Sequence, residues 1–136
     1  MKSFAFALAV MPTFAAADHI SAVPQHYLPW TKTQEGAEFA ALEGDRFVEP
    51  YMAMVRLPAG LESPPHVKSA GMFGVVVEGI FVHRAIDADD AGVPLGPGSY
   101  YHIPAGLPHV SACVSEVPCV AFLYQDGAFD FNVVRR

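Results

Sequence analysis

Charge is scarce in this chain. Only 16% of the residues are Asp, Glu, Lys or Arg, and eight basic side chains face fourteen acidic ones, for a formal charge of −6. An acidic surface repels phosphate backbones, and no basic stripe or basic–aromatic interleaving offsets it, which argues against a nucleic-acid partner. Cysteine is nearly absent, with Cys113 and Cys119 the only two. No second pair exists to complete a four-thiolate metal centre. Long apolar runs are missing as well. The one apolar stretch, from Phe4 to Val10 and slightly beyond, is too short to span a bilayer core of about 30 Å as a permanent helix. Beyond Asp18 there is little helical periodicity, no internal repeat and no low-complexity tract.

What is present begins with MKSFAFALAVMPTFAAA. Lys2 supplies a charged start, the apolar run follows, and Ala15-Ala16-Ala17 offers a small-residue cleavage site. This is the pattern of a secretory signal, which places the start of the mature chain at Asp18 and the protein in the periplasm or outside the cell. A buried N-terminal helix is the alternative. Removal of residues 1–17 takes away Lys2 and leaves the chain one unit more acidic. The remainder, residues 18–136, has the length of a single domain, and 52% hydrophobic residues suffice for a core. In an oxidising compartment, Cys113 and Cys119 read most simply as a disulfide across the turn Val114-Ser115-Glu116-Val117-Pro118. A pair of soft metal ligands is the alternative.

Short alternating or β-branched runs, broken by turn residues every eight to twelve positions, predict an all-β barrel or sandwich. The expected strands are Phe39–Leu42, Tyr51–Leu57, Gly74–Val77, Ile80–Arg84, Ser99–Ile103, His109–Ser115, Cys119–Tyr124 and Phe129–Val133. Asp87–Pro97, acidic and rich in Gly and Pro, reads as a surface loop.

Six histidines carry most of the chemical interest. His19 and His26 fall in the N-terminal part of the mature chain, where a solvated ring is expected. His83, at a strand end beside Arg84, reads as structural or exposed. His66 and His109 differ, because each follows a Pro- or Gly-bearing turn that opens a strand.

The segment Gly60-x5-His66-x-Lys68-x3-Met72-x6-Gly79 resembles the first cupin motif, Gly-x5-His-x-His-x3–4-Glu-x6-Gly. The segment Gly98-x5-Pro104-x-Gly106-x2-His109-x3-Cys113 resembles the second, Gly-x5-Pro-x-Gly-x2-His-x3-Asn. The closing YQDGAFDF is similar to a small family of exported bacterial cupins with no assigned function. The resemblance implies a double-stranded β-helix, or jelly-roll barrel, with an interior able to hold a ligand. It also implies a homodimer. The glycines stand where strands reverse and positive φ is often required.

In metal-binding cupins, two histidines and a carboxylate from the first motif join the histidine of the second around one divalent ion. His66 and His109 are retained here, whereas Lys68 replaces a histidine, Met72 the carboxylate and Cys113 the asparagine. Strand alternation puts His66 and Lys68 on one face, and likewise His109 and Cys113.

Three readings of the interior follow. In the first, a small polar or anionic molecule binds to the Lys68 charge, with His66 and His109 as hydrogen-bonding groups and Met72 and Phe73 as an apolar wall. In the second, a divalent or copper ion binds His66 and His109, with Met72 or His102 completing the shell. That reading implies a zinc, iron or copper oxygenase or isomerase. In the third, Lys68, its pKa lowered by burial, is a metal-free general base or Schiff-base amine, with His66 or His109 moving the proton. The plain alternative is a barrel in which these side chains only pack and which mediates protein contacts.

Overall fold

The computed structural model describes residues 20–135. Residues 1–17, which the sequence pattern reads as a secretory signal, lie outside the described residues with Asp18 and His19. After a short 3-10 turn at Gln25–Tyr27, the chain runs through ten strands. They are β1 (Trp30–Lys32), β2 (Glu38–Glu43), β3 (Tyr51–Leu57), β4 (His66–Val67), β5 (Met72–Glu78), β6 (Phe81–Ala85), β7 (Tyr100–Ile103), β8 (His109–Cys113), β9 (Cys119–Gln125) and β10 (Asn132–Val133). They form two antiparallel sheets, one of six strands in the order β1-β2-β3-β9-β5-β7 and one of four in the order β10-β4-β8-β6. The all-β jelly roll expected from the sequence is what the chain forms. Among the described residues, no helix is long and apolar enough to cross a membrane.

The strands follow the period-2 pattern that pleating imposes. In β3, Tyr51, Ala53, Val55 and Leu57 are buried between the sheets, while Met52 is exposed. In β9, Cys119, Ala121, Leu123 and Gln125 face inward. Gln125 is fully buried yet satisfied, accepting from the Tyr51 hydroxyl at 3.2 Å and donating to the Ala128 carbonyl at 2.8 Å. Burial of this kind stabilises only because both amide ends are paired.

Two elements escape the sequence pattern. β1 is three residues long and is held by pairing with β2 and by Arg56 lying 4.1 Å over the Trp30 ring. β4 has two residues, too few to alternate visibly. The expected strand at Phe129–Val133 contracts to Asn132–Val133 because the preceding residues turn inward over the barrel mouth. The Asp87–Pro97 region forms no named strand, although Leu95 bridges to Phe81 and packs on the core.

All four motif glycines, Gly60, Gly79, Gly98 and Gly106, have positive φ, between 75° and 85°. Gly79 shows the need most clearly, since a Cβ there would stand 2.8 Å from the Cys119 Cα and 2.9 Å from the Pro118 carbonyl. Gly74 is required for a different reason. It pairs with Tyr101, and a Cβ would overlap that ring, which crosses β5 to reach the interior. Cys113, ending β8, and Cys119, starting β9, are joined by a disulfide and so tie the small sheet to the large one. With both sulfurs in that bond, the pair is not a set of metal ligands.

Candidate functional site

Between the sheets lies a partly open cavity of about 80 Å³. Its polar groups come mainly from the small sheet and the segments next to it, and its apolar wall from the large one. His66 on β4 and His109 on β8 are direct cross-strand partners, with ring centroids 4.2 Å apart. They are 3% and 1% exposed. His66 Nδ1 lies 2.9 Å from the Pro64 carbonyl, and His109 Nδ1 lies 2.8 Å from the Leu107 carbonyl. A carbonyl only accepts, so both Nδ1 atoms carry the proton and both Nε2 atoms present lone pairs. Burial pushes the His66 imidazole down to about 4, and the neighbouring His109 and Lys68 charges add to that. Burial also holds His109 below the ordinary histidine range. Both rings are therefore neutral at pH 7.

Lys68 is 6% exposed, and its Nζ donates to the Asp130 carbonyl at 2.8 Å while lying 4.3 Å over the Phe129 ring. Burial lowers its pKa to about 8, against the opposing pull of the Asp130 carboxylate. That carboxylate is engaged elsewhere. It accepts from the Ser69 backbone N–H at 3.0 and 3.1 Å, from the Ser69 hydroxyl, and from Asn132 Nδ2 at 2.8 Å. Partial burial would raise the Asp130 carboxyl, but these bonds and the Lys68 charge hold it below the usual range. The C-terminal segment thus closes over the first-motif residues. Phe131 stacks on His66 at 4.1 Å, so that ring is sandwiched between Phe131 and His109.

The structure does not bring all the sequence candidates together. His66, Lys68 and Met72 line the cavity, whereas His109 packs against the His66 ring outside the cavity wall. Phe73 points the other way. It lies on the outer face of β5, stacked on the exposed His102 at 4.3 Å, so neither ring reaches the interior. Once β5 starts at Met72, alternation fixes this: Met72 faces in and Phe73 faces out. His26 is exposed beside Tyr27. Cys113, at the family's asparagine position, is spent in the disulfide.

The residue that sequence reading passed over is His83. It lines the cavity, with Nδ1 2.8 Å from the Ser111 hydroxyl and its ring 4.2 Å from Tyr101. Burial drives its pKa down to about 3. The usable signal was its period-2 relation to Phe81, a core residue on the same short strand. Phe129, Phe131, Tyr101 and Ser111 also line the cavity without having been singled out.

The metal site that the resemblance implies can be tested on these donors. The Nδ1–H bonds of His66 and His109 to carbonyls are the orientation that metal-ligating histidines adopt. The set stops at two. Lys68 is a protonated donor at neutral pH, Met72 offers only a thioether, and His102 lies outside. Among the described residues, no three His, Cys, Asp or Glu side chains gather into a metal-holding group. Zinc sites use three or four protein ligands, so the residues present do not fit a resident divalent ion.

Residues 53–124 match the family model described as Cupin domain. The chain belongs to the cupin family. Among solved structures, this cupin is similar to the polyketide cyclase RemF from Streptomyces resistomycificus, with a TM-score of 0.69 and 17% identity over 87% of this chain and 88% of that one. It is similar also to an RmlC-like cupin from Shewanella frigidimarina, with a TM-score of 0.60 and 18% identity over 88% and 95% of the two chains. The cupin domain of Schizosaccharomyces pombe Cnp3 gives a TM-score of 0.65 and 13% identity over 80% and 75%. At these identities the likeness is one of fold. No curated protein matches the sequence.

If the lysine is what separates this barrel from a metal site, Lys68→His should restore one. Isothermal titration at pH 7 should show Zn²⁺ affinity at least tenfold above wild type, and adding His66→Ala should remove the gain. Equal affinity in wild type and Lys68→His would show that something else sets the donor set aside.

Proposed function

We propose that this cupin is exported and binds a small polar or anionic molecule in its barrel, with Lys68 as the charged anchor. The observation that carries the reading is a buried ammonium in the cavity wall whose side-chain hydrogen bond goes to a main-chain carbonyl rather than to a carboxylate. Lysine has three donors, so a bound anion can take those that Asp130 leaves. A pKa of about 8 leaves the side chain mostly charged at pH 7. Burial holds the His66, His83 and His109 rings neutral, so they add no charge that competes with Lys68. The internal disulfide suits an oxidising compartment, which supports export.

Metal-free acid–base chemistry at Lys68 would draw on the same lowered pKa. Binding is the better supported reading because burial carries the two histidines of the cavity wall well away from neutrality, His66 to about 4 and His83 to about 3, which suits neither to exchanging the proton at pH 7.

The test is a thermal-shift panel of phosphate, sulfate and straight-chain carboxylates of two to six carbons. At least one anion should raise the melting temperature at pH 7. The shift should fade as the pH passes about 8 and Lys68 loses its proton, and it should vanish in Lys68→Met. A shift that survives in Lys68→Met, or that persists at pH 10, would refute the anchor.

We also propose a homodimer through the outer face of the large sheet. Two registered rows there, Met52-Tyr124-Phe73-His102 and Met54-Phe122-Val75-Tyr100, carry no carboxylate, lysine or arginine, and the first meets a charge only beyond Met52, at Glu43. Tyr100 is 62% exposed, and Met52 and Val75 are 40% exposed each. On an acidic chain, this is where a second copy can approach without like-charge repulsion. Light scattering on the mature chain should give twice the mass of one chain, and Val75→Glu should halve it. A monomeric wild type would overturn the dimer.

A further inference from the structure

The cavity holds a polar position that the inherited motif does not account for. His83 Nε2 is buried and has no hydrogen-bond partner in the protein. An unpaired buried polar atom costs on the order of 1–3 kcal/mol, so a ligand that pairs it gains what the unliganded fold lacks. His83 and Lys68 both line the same cavity, and the surface between them is apolar, formed by side chains such as Phe81, Leu57, Leu123 and Met72.

We propose that His83 is a second ligand anchor and that the cavity selects short hydroxycarboxylates, the carboxylate on Lys68 and the hydroxyl on His83. This rests on the anion-binding reading above. Three observations set the class. The Lys68 ammonium requires the negative charge. The volume, about 80 Å³, is below the roughly 150 Å³ of an engineered cavity that takes benzene, so the ligand is a two- or three-carbon acid rather than an aromatic or a sugar.

The hydroxyl follows from the chemistry around Nδ1. Ser111 Oγ, 2.8 Å away, can either donate to Nδ1 or accept from it. His83 Nε2 is accordingly a donor in one tautomer and an acceptor in the other. A hydroxyl satisfies both, whereas a keto oxygen serves only the first. Ser111 is itself fixed, because its backbone N–H donates to the Ser63 hydroxyl at 3.0 Å. The ring is steadied by Tyr101, which reaches it across Gly74. His83 is therefore held by a rigid sheet rather than by a loop, the arrangement that discriminates by hydrogen bonding.

The probes are lactate, propanoate and propane-1,2-diol, titrated calorimetrically into the mature chain at pH 7. Lactate should bind at least tenfold more tightly than propanoate, and the diol should not bind measurably. In His83→Leu, propanoate affinity should stay within about twofold and lactate should fall to the propanoate value. Should that variant fail to fold, the wild type still decides. The His83 Nε2 resonance should shift with lactate and stay put with propanoate. Equal affinity for lactate and propanoate, a lactate preference that survives His83→Leu, or an unmoved His83 resonance would each overturn the proposal. Binding of phosphate through Lys68 without any hydroxy acid would overturn it alone and leave the anion reading standing. If no anion binds, both fall.

Discussion

The bond from Lys68 Nζ to the Asp130 carbonyl organises the rest of the barrel. An ammonium inside a protein must recover the hydration it loses, and an isolated buried charge is among the most expensive features a fold can carry. Here the recovery is distributed. The carbonyl accepts one N–H, the Phe129 ring faces the charge at 4.3 Å, and the carboxylate of Asp130 lies close enough to raise the lysine pKa part of the way back. These partners sit on consecutive residues of the C-terminal segment. Its register is pinned by Ser69 and Asn132 on the Asp130 carboxylate and by the pairing of β10 with β4. The lysine thus accounts for the closure of the barrel by the chain end, and that closure in turn sets Phe131 against His66.

The two sheets divide the labour. The short sheet brings His66, Ser111 and His83 onto one inner face, since β4, β8 and β6 are neighbours in register. Polar side chains survive there because nearly every one finds a backbone or hydroxyl partner. The long sheet contributes apolar bulk and, in the cavity wall, Tyr101, admitted by the missing side chain at Gly74. The disulfide holds the sheets together at Cys113–Cys119, and the Lys68–Asp130 contact links β4 to the chain end. What remains between them is a small cavity, dry on one side and polar on the other, a composition suited to orienting a ligand with a charge and a hydroxyl.

Much of this is legible in the sequence. Tyr51–Leu57 was recovered with its full span because seven residues alternate cleanly. The motif glycines announced their turns, and the common burial of His66 with Lys68, and of His109 with Cys113, followed from alternation. The misplacements share a cause. A strand two residues long, like β4, or three, like β1, is defined by its partners and not by its own pattern. A strand that begins at Gly74 gives Phe73 no face, whereas β5 begins at Met72, which turns Phe73 outward over His102. His83 was passed over because a histidine next to an arginine looks solvated. Its period-2 relation to Phe81 puts it on the interior face, and the pairing of β6 with β8 sets it opposite Ser111.

A single titration reaches the centre of this account. The Nζ of Lys68 can be followed by heteronuclear NMR in the intact protein from pH 6 to 11. The expected midpoint is about 8, moving upward when a carboxylate occupies the cavity, because a bound anion favours the charged form. A midpoint near the unperturbed lysine value of about 10.4, unmoved by carboxylates, would mean that the ammonium is solvated and that the barrel is not built around a buried charge.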